Sequence, residues 1–544
     1  MMKPIIRLAS ASLLLVAVAA CSTNLGVENL SNPDVGRVFS VPASIEATIG
    51  SGYQTVHNAL TNNGALMPEV EVLALESYSS LNNFNMGIRV AIPRLPIPNS
   101  NGSPSIFTEF SALSRGSRLM VNAIDALANL IKGGGTLGSP AQDLRAKAFG
   151  YFVAGADLGW LAMIYDSAGV VAPGMPSDSI PPLSSAQDVM KVAITYLDSA
   201  VNIASSPAAS ASGGFPLPDL WLGGNSLSAG DFVKLVRSYR ARFRAGVART
   251  PAQRTAVDWS AVIADAEAGI SSDFMVNVGG TTGWNIGFNS SQAHVDPGWS
   301  EMSMLYFGMA DTSGAYKSFI AAPMSSRNGY FLVKTPDNRW PSGETRSAQQ
   351  KASTAPSGFD SKPYITNRTL AEVPGDGWGV SYYDFFRLKY IRINHSQGPY
   401  PEFAKAENDL LAAEGYIRKG DFANAAAKID LTRVPAGLPA LTGAITSASQ
   451  QVPGGSACVP LVPSPSGTVS CGTIMEAMKY EKRIETAMTS FGRWWIDGRG
   501  WGDLPEGTAY EYPVPFQEMQ ARQLPSYALG ASSGSAAAKG TYGF

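Results

Sequence analysis

Two carboxylates stand one helical turn apart in the stretch Ile474-Met475-Glu476-Ala477-Met478-Lys479-Tyr480-Glu481-Lys482-Arg483-Ile484-Glu485. No Pro or Gly interrupts it, so it is predicted to be a helix with Glu481 and Glu485 on one face and Arg483 off it. Just downstream, Arg493, Asp497 and Arg499 alternate with Trp494, Trp495 and Trp501. A Glu pair beside Arg and Trp has the parts of a general acid–base couple. The same residues also suit a buried ion network, in which guanidinium forks hold the carboxylates and indoles cover them. With no metal motif, nucleophile or histidine nearby, the network is the preferred reading. His57, His294 and His395 are the only histidines and lie far apart, so the zinc motifs fail. Gly530-Ala531-Ser532-Ser533-Gly534 matches a hydrolase pattern by letter. It sits in a small-residue tail with no His after it, whereas that chemistry needs a later His. No catalytic residue, metal site or cofactor is expected.

A different chemistry is carried by rings. Between about 271 and 399 helical periodicity fades and Gly, Pro, Ser and Asn rise, with Trp284, Trp299, Tyr306, Trp340 and Trp378 among the aromatics scattered through the segment. A loop region of this length is functional or disordered, and so many rings argue against disorder. Ring faces stack on the C–H faces of sugars while Asn, Asp and Arg bond the hydroxyls. Any single ring is more often part of the segment's own core; one or two are expected to reach ligand. Tyr78 and Phe84, at and near the break Asn82-Asn83-Phe84-Asn85, complete the candidate ligand-contact set.

Helices must position these groups. Ile45, Ile49, Tyr53 and Val56 give an apolar face to a helix over about 42–60, with His57 at its end as a packed or capping residue. The pattern continues helically from Glu69 to Asn85. A long helix over 106–131 ends at Gly133-Gly134-Gly135, and Ser139-Pro140 opens the next one, to about Asp166, making an αα-hairpin. Ser184-Ser185 introduces a helix to about Ala204. Ser228-Ala229-Gly230-Asp231 is a capping-box-like start. The helix it opens carries Lys234, Arg237, Arg240, Arg242 and Arg244, read as a solvated face rather than a phosphate-binding one. Ala413, Tyr416, Gly420, Ala425 and Ile429 sit at tetratricopeptide offsets, in which small residues let paired helices approach.

Composition bounds the class. The 544 residues are 45% hydrophobic, 10% aromatic and only 15% charged, with net charge −2. That is a globular chain, too long for one small core, with no electrostatic case for nucleic acid. Lys3 and Arg7 precede an apolar run, Leu8 to Ala20, that ends in Val18-Ala19-Ala20-Cys21. The run is too short to span a bilayer and reads as a cleaved leader, and Val-Ala-Ala-Cys resembles a bacterial lipobox. Lipidation is therefore expected at Cys21, giving firm membrane anchoring through more than one acyl chain. In an exported chain Cys458 and Cys471 are expected to form a disulfide across an irregular loop, contributing on the order of 3 kcal/mol; two free thiols are the alternative.

Several motifs together are similar to one family. Glu481-x-Arg483-x-Glu485, then Arg493-Trp494, Asp497, Arg499, Trp501-Gly502 and Pro513-Val514-Pro515 resemble the C-terminal signature of the SusD/RagB family of outer-membrane nutrient-binding lipoproteins. Thr489-Ser490-Phe491-Gly492 departs from the Glu-Gly usual before Arg-Trp. Glu407, Glu414, Gly420, Arg433 and Ala436-Gly437-Leu438 resemble the family's penultimate motif, with Asp430 in place of Asn and Pro435 in place of Arg. The resemblance implies a mostly α fold, a right-handed α-solenoid of four tetratricopeptide-like helix pairs with an irregular loop-rich insert. It divides the chain into a signal peptide (1–20), a lipidated tether (21–40), N-terminal helical repeats (41–270), the insert with the ligand site (271–400), C-terminal repeats with the signature (401–527) and a flexible tail (528–544). It implies a surface-facing lipid-anchored protein that binds an oligosaccharide, or else a peptide, and delivers it to a TonB-dependent SusC-like transporter without chemistry. A surface glycoside hydrolase and a tetratricopeptide-type assembly scaffold are the rival readings.

Overall fold

Long helices and several shorter ones carry the frame of the computed structural model, which describes residues 39–61, 66–100, 105–176, 179–287, 299–369 and 379–538. In chain order the principal helices are α1 (Pro42–Thr61), α2 (Met67–Leu73), α3 (Ser105–Lys132), α4 (Pro140–Ile164), α5 (Ala186–Ala204), α6 (Ala229–Gly246), α7 (Trp259–Glu267), α8 (Lys405–Arg418), α9 (Phe422–Arg433), α10 (Ile474–Thr486) and α11 (Arg493–Trp501). Helix α4 is apolar nearly all round and buried along its length, as a central helix must be. It packs on α1, α3, α5 and α6. The Ser139 hydroxyl accepts the Gln142 N–H at 3.2 Å, with Pro140 in the first turn, so its start is fixed locally. From α4 the contacts run on helix by helix: α5 on α6, α6 on α7, α7 on α8, α8 on α9 and α10. The architecture is mostly α.

Strands are short, and their partners are distant in sequence. Ser77–Tyr78 pairs antiparallel with Glu301–Met302, and Phe274–Val278 with Gly398–Phe403. The first pairing overturns the helix expected from Glu69 to Asn85. Helix α2 ends at Leu73, Leu75 takes φ 60, and the chain turns into a strand that only its partner more than two hundred residues away could specify. The segment between Cys458 and Cys471 is not irregular either. Leu461–Pro463 and Val469–Cys471 form a hairpin, the Ser464 carbonyl and amide close its turn with Gly467 and Thr468, and the disulfide joins the two cysteines with Cα atoms 5.8 Å apart.

Two further expectations change. The start of the supposed flexible tail is held: Ala528–Leu529 pairs with Ile97–Pro98, and the Ala531 and Ala537 amides donate to Gly507 and Thr508. The basic helix α6 is not uniformly solvated, because Arg242 is only 1% exposed and forks onto Glu407 on α8. The other four cations of that helix keep more contact with water. Among the described residues no helix is long and apolar enough to cross a membrane. The leader, the lipobox and Cys21 lie outside the described residues.

Candidate functional site

The C-terminal carboxylates are the first candidates for chemistry, and both are occupied. Arg339 donates to Glu481 at 2.7 Å and to Glu485 at 3.0 Å, while its Nε and second amino group fork onto Asp337. Thr432 donates a further hydrogen bond to Glu481, and Arg387 lies 3.2 Å from Glu485. The Tyr480 hydroxyl completes the cage by donating to Asp337 at 2.7 Å. Both glutamates thus form part of an ion network that ties α10 to Arg339 in the insert.

The other signature residues repeat the pattern. Arg493 and Arg242 converge on Glu407, at 3.0 and 2.7 Å. Arg254 lies 3.0 Å from Asp497, Lys482 lies 2.8 Å from the same carboxylate, and Arg254 also holds Glu414. Burial alone would raise the Glu407 carboxyl, but Arg242 and Arg493 draw it down to about 2. Glu414 is likewise drawn down to about 2, against its own burial, by Arg254. Arg483 pairs with Asp503, the Trp494 indole donates to the Arg483 carbonyl, and Arg499 donates to the Gly246 and Tyr510 carbonyls. These residues join α6, α8, α10 and α11 into one block.

The rings divide sharply by exposure. Tyr78, Tyr306 and Trp340 are 1–3% exposed and are corrected from ligand contacts to core. The Tyr306 hydroxyl donates to the Asp503 carbonyl with Arg483 over its ring, and Trp340 sits edge-on to Tyr383 and Phe307. Tyr78 lies so close to Gly379 that any side chain there would strike its ring. Trp284 is largely covered by His57 and Tyr53, at 5.1 and 6.1 Å between ring centres. Trp378 lies outside the described residues.

Phe84 and Trp299 remain, both half-buried, their rings stacked with centres 5.6 Å apart and planes at 20°. How the chain presents them follows from the loop. Buried Glu69 on α2 accepts from Arg89 Nε at 2.6 Å and from the Asn85 side-chain amide at 3.1 Å. The Gly87 amide closes on the Leu81 carbonyl at 2.6 Å, so the loop is tied at both ends. Between those ties Phe84 and Asn85 take φ 52 and 61, a left-handed conformation that costs energy for residues with a Cβ. Ser79 next to the strand Ser77–Tyr78 donates its hydroxyl to the Trp299 carbonyl at 2.5 Å, which brings the second ring to the first. Exposed Asn82 and Asn83 flank the pair with amide donors and acceptors.

One neighbouring cluster was not singled out from the sequence. The strand Tyr383–Phe385 packs beside Glu301–Met302, and Tyr382 at its start is half-buried, 5.0 Å from Tyr330 between ring centres. The Arg346 guanidinium lies 4.1 Å over the Tyr382 ring. Two tyrosines more than fifty residues apart carry no local signal of this. Among the described residues no group of His, Cys, Asp or Glu is placed to hold a metal.

Comparison with known proteins places this geometry. No family model matches the sequence, and no curated protein is significantly similar to it. Solved structures are similar. A SusD homolog from Bacteroides thetaiotaomicron aligns at TM-score 0.52 and 13% identity over 89% of this chain and 96% of its own. A SusD superfamily protein from Bacteroides vulgatus aligns at TM-score 0.50 and 12% identity over 90% and 99%. Another from Parabacteroides distasonis aligns at TM-score 0.50 and 10% identity over 89% and 98%. Likeness across nearly the whole length of each, at identities too low to speak for ligand, identifies the architecture: the chain has the fold of the SusD superfamily.

Proposed function

We propose that the chain is a non-catalytic glycan-binding protein of SusD type. On this reading it is lipid-anchored through Cys21 at the outer membrane, faces the cell surface, and passes an oligosaccharide to a TonB-dependent SusC-like barrel. The observation that carries the binding role is the Phe84–Trp299 stack, two half-exposed rings, the first on a loop whose strained backbone is fixed by Glu69 and the second brought to it by the Ser79 hydroxyl. A fixed aromatic platform flanked by Asn82 and Asn83 matches the apolar face and polar rim of a sugar. The occupation of Glu481 and Glu485 by Arg339 supports binding without turnover.

A few stacked rings on an open surface give affinities of about 1 mM to tens of micromolar. Affinity electrophoresis in gels cast with a panel of neutral plant and microbial polysaccharides tests this. Retardation by at least one polysaccharide is expected, together with its loss in the F84A/W299A double variant. Equal retardation of wild type and double variant would remove the site, and release of reducing ends would replace binding with hydrolysis. Co-purification of a barrel from detergent-solubilised membranes tests the partner.

A further inference from the structure

A cavity of about 410 Å³ opens between α1, the turn Asp219–Leu222 and the strand Phe274–Val278. No residue of the Phe84 loop lines it. Its walls are the small open parts of the otherwise buried Trp221 and Trp284 indoles, the Leu220 side chain, and the polar side chains of Ser51, Gln54 and Asn277. The volume lies within the range of small-molecule sites, and the mixed lining is that of a site rather than of a packing gap.

The walls are built deliberately. Gly50 on α1 has no Cβ, and one placed there would lie 2.2 Å from the Trp221 indole, so only glycine lets that ring lie against the helix. Gly223, at φ 59, turns the chain directly after Trp221 and Leu222, and the backbone N–H of Asn277 donates to its carbonyl at 2.8 Å. Opposite, the Gln54 amide donates to the Thr282 carbonyl at 3.1 Å, and the Trp284 amide donates to the Thr282 hydroxyl at 3.2 Å. Leu220 at the mouth is 82% exposed, the most exposed of the large apolar side chains described.

No charged side chain lines the cavity. The ionisable groups that lie against the two indoles are committed elsewhere: His57 beside Trp284 bonds Glu402 at 2.7 Å and the Asn285 carbonyl at 2.8 Å, and Arg145 beside Trp221 pairs with Glu46 at 2.8 Å. A zwitterion or peptide terminus entering here would desolvate its charges without a counter-charge. A wholly apolar ligand would cover the Gln54 side-chain oxygen and the Asn277 side-chain amide without bonding them. What satisfies both surfaces is a neutral ring with one C–H face and hydroxyls around its rim. We propose that this cavity is a second binding site, separate from the Phe84–Trp299 platform, for an uncharged hexopyranose ring.

Saturation-transfer NMR on the whole chain tests it, with methyl gluco-, galacto- and mannopyranoside as neutral probes and glucuronate as the charged one. At millimolar concentration at least one neutral probe is expected to show saturation in the F84A/W299A variant, where the other platform is gone. Ser51 and Ala47 are exposed on α1 and line the cavity, so Ser51→Trp and Ala47→Trp fill it without entering the core. Each is expected to cut the signal at least fivefold with an unchanged circular dichroism spectrum. The proposal fails if no neutral probe binds the double variant, if both filling variants bind as well as wild type, or if glucuronate binds equally. Polysaccharide retardation that survives S51W, while monosaccharide saturation does not, separates this site from the platform.

Discussion

Glu407 shows how single residues decide between the two readings of the signature. It accepts both arms of the Arg242 fork, at 2.8 and 2.7 Å, and a third bond from Arg493 at 3.0 Å, with 1% of its surface exposed. A buried carboxylate so held is a structural part, and removing its charge takes from two buried guanidinium groups the carboxylate they share. Glu407→Gln is expected to lower stability by about 3–5 kcal/mol in urea unfolding, while glycan retardation of the folded fraction stays at the wild-type level. A loss of binding with stability intact would instead put Glu407 in a ligand site. The same scale explains why ring types were legible in the sequence but their roles were not. Tyr306 and Trp299 sit in equally irregular sequence. What separates them is Arg483 and the Asp503 carbonyl over the first, and neither residue's approach to Tyr306 is encoded locally.

At the scale of elements, the loop between the strand Ser77–Tyr78 and Arg89 is where conformation becomes function. Its left-handed Phe84 and Asn85 persist because the Asn85 amide and Arg89 both end on Glu69. Asn85→Ala and Asn85→Gly each delete the amide, but only the alanine retains the left-handed cost of a Cβ, about 1 kcal/mol. If the amide fixes the platform, both variants should bind the retarding polysaccharide about tenfold more weakly, with the alanine variant the less stable in thermal melts. Full binding by either would mean that the loop holds its shape without Glu69. The long helices around this loop were readable because a 3.6-residue apolar period, a Ser–Pro start or a glycine stop is local information, as at Ser139-Pro140 and Ser228. The strands were not. Two residues pairing with two others across more than two hundred positions leave no period to read, and the break after Leu73 carries no local stop signal that separates it from continued helix.

For the whole molecule, two populations of buried acids pull stability in opposite directions with pH. Glu407 and Glu414, held near 2 by their arginines against a usual value near 4.5, contribute stability that is complete above about pH 4.5 and lost as pH falls toward 2. Glu109, raised to about 8 by burial, binds its proton more tightly when folded, so its contribution falls as pH climbs from about 4.5 through 8. Burial pushes Asp157 well up in the same direction, since neither of its carboxylate oxygens has a hydrogen-bond partner among the described residues. The two limbs meet near pH 5, where the melting temperature is expected to peak, as thermal unfolding across pH 3 to 9 would show. Glu109→Gln keeps an acceptor for the Leu66 amide, bonded at 2.7 Å, and removes one titration, so it should flatten the alkaline limb and leave the acid limb alone. A melting temperature that rises steadily to pH 8, or an alkaline slope untouched by that substitution, would show that the helical frame does not bury Glu109 as an uncharged acid.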